Sequence, residues 1–430
     1  MKGHTRFRHM RRVHFFTMIR RATLAVLLLL AIAPAVSAAD APSFLIESIQ
    51  VVGTRQTSIV IAESRLREGR TYSESELRDA MSRIQRLPFV IFTDFRLGKG
   101  SEVGRYVLII TIKQMKPFFV TASSDTLWSK EERTQNTPQG QVSSGSLITQ
   151  SRGEELALGG RAFVGAKGVV NIAAQRVTDR NDRYTLTYSQ YDLFGTRASL
   201  SFVASYLLDP GARKPPDGTD AHLDWHHRDN FTYEIIGVVP ISDNDTIRGS
   251  WQRSERPIRY LETSPRIRFA LISRPEIRRE IFWIHDTTND PLFPTSGTRV
   301  TVGGVRTSVP TAGFTVLGHQ IQEELTASIE RSWSVTSRQA LTLGGSRHDF
   351  DAAKVISSRV FARYGVDLWG RERTIRDGDL RLEAGFDRTF GKVIHAPHVF
   401  TESTARLGLV YRNVWGIVRL DVEYSAWRQP

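Results

Sequence analysis

From about residue 117 to the end, apolar and polar residues alternate with a period of two. Tyr184, Leu186 and Tyr188 alternate with threonine and serine, and Ala198, Leu200, Phe202, Ala204 and Tyr206 repeat the pattern. Toward the end the polar positions become charged. Val360, Ala362, Tyr364 and Val366 interleave with Arg359 and Arg363, and Leu380, Leu382, Ala384 and Phe386 with Arg381, Glu383 and Asp387. Ala405, Leu407, Leu409 and Tyr411 interleave with Arg406 and Arg412, and Val418, Leu420, Val422 and Tyr424 with Arg419, Asp421 and Glu423. Such segments predict strands with one apolar and one polar face.

A soluble sheet alternates in the same way, so three further features bear on the choice. The segments run about ten residues, longer than the five or six usual in globular sheets. Their charged faces carry both signs, as a wet lumen that pairs its own charges requires. Aromatic residues (Phe194, Tyr206, Phe293, Trp333, Trp369, Trp415, Trp427) sit near segment ends, where interfacial girdles lie. The expected fold is therefore an all-β, antiparallel transmembrane barrel of about 16 strands over 117–430. The count is 15 if Phe118–Leu127 or Arg266–Ile272 is not a strand. Polar Ser129–Gly153 and proline-bearing Asp209–Asp220 read as loops.

Residues 43–116 differ, because the period changes along them. Phe44 to Val52 is strand-like, with Ile49 and Val51 on one face. Thr57 to Glu68 has helical spacing in Ile59, Ala62 and Leu66, ending at Gly69. Ser73 and Glu76 have capping-box spacing ahead of Leu77, Ala80, Met81, Ile84 and Leu87, and Pro88 closes that helix. Two strands follow, Val90 to Leu97 and Tyr106 to Lys113, the latter with Leu108, Ile110 and Ile112 on one face. The expected order is β-α-α-β-β, a small α/β unit.

Ahead of it lies a leader. Arg20 and Arg21 precede an apolar run from Leu24 to Ala33, then Pro34 and the small-residue sequence Val36-Ser37-Ala38. This is the pattern of a secretory signal peptide over 1–38, beginning at Met1 or at Met18; a short amphipathic anchor is the alternative. The run is shorter than the ~20 residues a spanning helix needs. Its seven basic residues and absent acids account for more than half of the net charge of +13. The remaining surplus is spread along the chain, so nucleic acid is not an expected partner. Cysteine is absent, which excludes disulfides and thiolate metal sites.

An enzyme finds little support. His226-His227 near Asp224 and Asp229, His285-Asp286 and His348-Asp349 are the candidates. Adjacent strand residues point to opposite faces and make poor shared sites, and no cofactor or metal is implied. Scattered Ser, His and Asp could still meet in a barrel hydrolase, since such triads need no local motif.

Several strings carry a family resemblance. Ile49-Gln50-Val51-Val52-Gly53 and Leu87-Pro88-Phe89, in their element order, resemble a polypeptide-transport-associated (POTRA) domain; an unrelated α/β sandwich stays open. The segment Asp286 to Val300, with Asp290, Pro291, Pro294 and Gly297, resembles the mid-barrel hairpin of the BamA/TamA family of outer-membrane assembly barrels. The prolines cannot donate to a ladder and belong in the turn, and Gly297 permits a tight exit. Tyr191 to Gly195 and Gly408 to Asp421 resemble an early turn and a late hairpin of the same family.

The resemblance implies an outer-membrane barrel with one periplasmic POTRA-like domain, in contact with outer-membrane lipid. That domain would take unfolded or partly folded envelope proteins on a strand edge, in their assembly, insertion or translocation. A passive channel is the alternative. Two features depart from the family. Its inward loop carries Val/Ile-Arg-Gly-Phe/Tyr, matched in neither Leu368-Trp369-Gly370-Arg371 nor Ile247-Arg248-Gly249-Ser250. It also implies one strand beyond 404–427, so either the barrel closes with another strand set or Tyr424 and Trp427 supply the terminal signal. The lumenal charges Arg359, Arg363, Arg381, Glu383, Asp387, Arg406, Arg412, Arg419, Asp421 and Glu423 have two readings. They brace the wall by pairing, or Glu383 or Asp421 anchors an inward loop through an arginine.

Overall fold

The computed structural model describes residues 42–137, 140–177, 181–208, 230–258, 272–311, 318–350, 355–369, 378–393 and 399–428. The leader, Asp209–Asp220, His226-His227 and all of Arg266–Ile272 except Ile272 lie outside them.

The first described elements are β1 (Ser43–Val52), α1 (Thr57–Ser64), β2 (Arg70–Ser73), α2 (Glu74–Gln85), β3 (Val90–Lys99) and β4 (Arg105–Gln114). The sheet order is β2-β1-β4-β3, with β1 parallel and β3 antiparallel to β4. Ser73 caps α2 as its spacing predicts. Its hydroxyl accepts from the Glu76 amide at 3.3 Å while the Glu76 carboxylate accepts from the Ser73 amide at 2.7 Å. Leu77, Ala80, Met81 and Ile84 then face inward and join Ile46, Ile59, Val60, Leu108, Ile110 and Ile112 in one buried core.

Two details differ from expectation. The short strand β2 is present between the helices. Helix α1 stops at Ser64 rather than Glu68, because the Ser64 hydroxyl bonds back to the Ile61 carbonyl and accepts from the Leu66 amide. Arg65 between them adopts a left-handed φ of 62°. A serine that offers the backbone such alternatives ends a helix whatever the apolar spacing beyond it.

The barrel begins with β5 (Phe118–Thr137), β6 (Gly140–Val164), β7 (Gly168–Val177), β8 (Asn181–Leu193), β9 (Ala198–Leu208), β10 (Asn230–Pro240) and β11 (Asp245–Ile258). It continues with β12 (Ile272–Asp286), β13 (Gly297–Thr311), β14 (Gly318–Thr336), β15 (Gln339–Phe350), β16 (Val355–Trp369), β17 (Asp379–Val393), β18 (Val399–Asn413) and β19 (Gly416–Arg428). Among the described residues these are fifteen strands, each antiparallel to its sequence neighbour, and they close. Fifteen is odd, so the first and last strands run the same way. The closing pair is therefore parallel, from Gly416 opposite Val120 to Arg428 opposite Glu132. This seam is where the barrel differs from an all-antiparallel one.

The apolar parity faces outward. Leu186, Phe202, Ile235, Ile281, Val302, Leu325, Val360, Phe386, Leu407 and Leu420 are all exposed on the outer wall. Stripes of this kind suit lipid on the outside and water within.

Ser129–Gly153, expected as a loop, is instead the far half of the β5–β6 hairpin, paired as far as Thr137 opposite Gly140. Backbone pairing needs no apolar face.

Candidate functional site

Strand β5 leaves the small domain directly, so the turns 165–167, 194–197, 241–244, 287–296 and 414–415 all lie at the domain end of the barrel. The turn 287–296 is the longest of these five. The Asp286 carboxylate accepts from the Thr288 amide at 2.9 Å and hydroxyl at 2.6 Å, and from Arg299 at 2.9 Å. The Asn289 side-chain oxygen accepts from the Thr295 and Ser296 amides, closing a ring of backbone within the turn. Asp290 accepts from the amides of Leu292 and Phe293 at 2.8 and 2.9 Å. At Gly297, with φ of 104°, a Cβ would lie 2.3 Å from the Thr287 carbonyl oxygen, so only glycine fits that exit.

This stiffened turn reaches across the mouth of the barrel. Asp290 pairs with Arg412 of β18 at 3.0 Å, and Arg412 also holds Asp379 of β17 at 2.6 Å. In strand order β18 is five strands from β13, so the contact crosses the lumen. Phe293, 4% exposed, lies between two guanidinium groups, 4.8 Å from Arg412 and 5.3 Å from Arg381. It was expected in an interfacial girdle. It is drawn inside because two prolines and the Asp290 side chain turn the chain inward, where cations on the far wall meet the ring face.

The wall behind it is a charge ladder. Arg381 pairs with Glu383 at 3.2 Å and Asp367 at 3.7 Å, and it lies flat over Gly365, where a Cβ would come within 2.1 Å of its guanidinium. Arg419 pairs with Asp421 on its own strand and with Glu383 at 3.7 Å, Arg359 with Asp387 at 2.7 Å, and Arg406 with Glu423. Arg363 makes no ion pair among the described residues and stacks on Phe361 at 4.6 Å. A cavity of about 220 Å³ opens here, lined by Leu292 and Pro294 of the turn and by Arg363, Arg381, Glu383 and Arg419.

The expected residues thus assemble in two groups. Asp290 meets Arg412 at the turn, while Arg381, Glu383, Arg419 and Asp421 form one connected patch of wall. Pro291 and Pro294 face the cavity. Glu383 and Asp421 brace arginines of their own wall, and the acid that ties down the inward turn is Asp290, carried by the turn itself. The polarity is the reverse of an arginine-bearing loop seated on a wall acid. Among the candidate His/Asp pairs, His285 lies 3.0 Å from Asp245, with Asp286 on the other face, and His348 lies 3.2 Å from Glu324. Among the described residues no group of three or more such side chains is placed to hold a metal ion.

Several participants had no sequence signal or a misread one. Phe361 sits between Arg359 and Arg363 with lumenal parity, which was legible. Asp379 and Asp367 were not, since their partners Arg412 and Arg381 are fixed by the register of neighbouring strands. Least legible were Gln85 and Arg86 at the end of α2. Gln85 donates to Asp290 at 2.9 Å, and Arg86 donates to the Asp286 and Thr288 carbonyls at 2.8 and 3.1 Å. The small domain makes further contacts with this end. Ser58 donates to the Ala166 carbonyl, Arg65 to the Ser242 carbonyl at 2.6 Å, and Phe89 meets Phe163 edge-on at 5.4 Å. The domain's core continues into the barrel through fully buried Val169.

Burial pushes the Glu63 carboxyl on α1 above its usual range, with Arg197, Arg86 and Arg83 pulling it back only in part. Asp290 is driven the other way. Its burial is outweighed by Arg412 and by the Phe293 and Leu292 amides, which hold it below the carboxylate range.

The sequence matches no family model and no curated protein. Its structure resembles CdiB from Escherichia coli with a TM-score of 0.50 and 15% identity, over 86% of this chain and 70% of that one. CdiB from Acinetobacter baumannii gives 0.46 and 8%, over 89% and 74%. BamA from Haemophilus ducreyi lacking POTRA domains 1-3 gives 0.42 and 11%, over 90% and 81%. At such identities the likeness is one of fold. The chain folds as a closed β-barrel similar to that of CdiB, with a small α/β domain ahead of its first strand.

Proposed function

We propose that this protein is exported under its leader and sits in the outer membrane, with residues 43–116 in the periplasm and 117–430 as the barrel. There it assists the assembly, insertion or translocation of other envelope proteins. The observation that carries this reading is the connection from Gln85 and Arg86, through the turn 287–296, to Arg412 on the opposite wall. A domain that only tethered the barrel would have no need of a side-chain route into the lumen. Through this one, a client engaged on the domain can be felt across the pore. No reaction is required; binding energy and the release of a few polar contacts suffice. The strand edges of the domain, β2 and β3, are the surfaces on which an unfolded client would add.

Depleting the protein and quantifying the outer-membrane proteins tests the proposal. A subset of barrels or surface proteins is expected to fall. Complementation with the double variant Gln85→Ala/Arg86→Ala, which keeps the barrel but removes both side chains of the link, is expected to restore only part of that subset. Normal levels of every other envelope protein, with slower solute uptake, would defeat the assembly reading. The channel alternative draws on the charge-lined cavity around Arg363 and would then take its place.

A further inference from the structure

The outer wall carries a second pattern toward the loop end, the end away from the small domain. On six strands the parity that bears exposed apolar residues switches there to arginine. The residues are Arg176 beyond Ile172 on β7, Arg253 beyond Ile247 on β11 and Arg279 beyond Ile281 on β12. Arg306 beyond Val302 on β13, Arg347 beyond Leu343 on β15 and Arg388 beyond Phe386 on β17 complete the set.

Registers place these residues at a common height. Trp251 is opposite Arg279, and Arg279 is opposite Arg306; Leu325 is opposite Asp349, two residues beyond Arg347. Strands tilted by ~40° climb about 2.5 Å per residue, and neighbouring rows step by about the same amount again, so all six arginines fall within roughly 7 Å of one level. Tyr206, Phe231 and Tyr233 lie at that level too, with Phe231 4.8 Å from Tyr233 and 5.9 Å from Tyr206. Arginine on a lipid face is costly at the midplane and nearly free at the interface. A belt of aromatics and arginines therefore marks the outer interface.

Half of the arginines are already paired. Arg176 holds Asp182 at 2.9 Å, Arg253 holds Glu255 at 2.8 Å and Arg306 lies 3.7 Å from Glu323. Arg279, Arg347 and Arg388 make no ion pair among the described residues, and Arg388 is propped by Phe390, 5.1 Å from its ring. The guanidinium fork matches phosphate oxygens in pairs, and long stems can lie along apolar surface while the heads reach the headgroup layer.

We propose that this belt, through Arg279, Arg347 and Arg388, binds the phosphate groups of an anionic glycolipid in the outer leaflet. The inference rests on the outer-membrane reading given above. It goes beyond that reading by assigning the barrel a lipid class and a side.

The test uses the full chain, folded in detergent and checked by its shift in gel migration on boiling. The barrel is then placed in phosphatidylcholine nanodiscs doped with bisphosphorylated lipid A, and bound lipid is counted by native mass spectrometry. The triple variant R279Q/R347Q/R388Q is expected to retain on the order of a hundredfold less lipid A. The triple lysine variant, which keeps the charge but lacks the fork, should fall between the wild type and the glutamine variant, and dephosphorylated lipid A should bind no better than phosphatidylcholine. Equal retention by the glutamine variant, equal binding of the dephosphorylated lipid, or full displacement by inorganic phosphate would overturn the proposal while the barrel stands. A chain that never inserts would bring down the membrane reading and this proposal together.

Discussion

The two halves of this chain solve the burial problem in opposite directions. The small domain turns Leu77, Ile84, Leu108 and Ile110 inward. The barrel turns Leu186, Leu407 and Leu420 outward and lines its interior with paired charges such as Arg359–Asp387 and Arg381–Glu383. The same amino acids therefore have inverted meanings on either side of about residue 117. A leucine is core in one region and lipid-facing skin in the other. The largest test of that inversion is at the buried ion pair. Arg412→Leu would leave the Asp290 carboxylate enclosed with only Gln85 and two amides, and losing one partner of a buried pair costs about 3–5 kcal/mol. Urea titration of folding into vesicles should register that loss, together with new protease cleavage in 287–296. An unchanged titration would mean that the turn is held by its prolines and Asn289 alone.

A matched pair of truncations sharpens the contrast. Leu77→Ala opens a void in a core closed on all sides and is expected to cost about 2–5 kcal/mol. Leu420→Ala, on a side chain 50% exposed, loses only the transfer part, because lipid chains close over the gap and no cavity remains. Its cost should be about half as large or less. Protease resistance of 43–116 should fall for the first variant, with the boiling-dependent gel shift intact. Equal costs at the two sites would show that the outer wall is packed against protein and not against lipid.

Legibility in the sequence followed the same divide. Alternation was clear wherever one face met lipid, as in 360–366 and 418–424, because a period of two then separates apolar from charged. It failed over 129–153, where serine, glutamine and threonine give no alternation although the backbone pairs. Capping chemistry fixed the start of α2 at Ser73, but nothing in the apolar spacing announced that the Ser64 hydroxyl would end α1. The turn 287–296 was recognisable from Pro291, Pro294 and Gly297. Its path across the lumen was not, because Arg412 and Arg381 lie more than eighty residues away in sequence and are reached only through the curvature of a closed sheet. For the same reason Phe293 was assigned to the membrane rim, and the contacts of Gln85 and Arg86 left no trace in the local sequence.

The subtlest difference between the regions lies where they meet. Glu63 sits on α1 facing Arg197 of the barrel and Arg83 and Arg86 of its own domain, and Asp79 acts on the same two domain arginines. Burial at this junction raises its pKa, so the docked state favours the protonated carboxyl. By linkage that contribution is complete below the value of the free carboxyl, near 4.5, and is lost as pH rises through the raised value in the docked state. The domain should therefore hold most tightly to the barrel in mild acid and loosen toward neutrality. Cross-linking yield between residues 58 and 166, whose side chain and carbonyl touch, can follow this across the pH range. Glu63→Gln, which cannot ionise, should flatten the part of the profile above pH 4.5 and leave the residual slope to Asp79, whose carboxyl burial raises in the same direction. A profile that kept its full slope in the glutamine variant would shift the pH dependence to Asp79 and leave Glu63 a silent member of the interface.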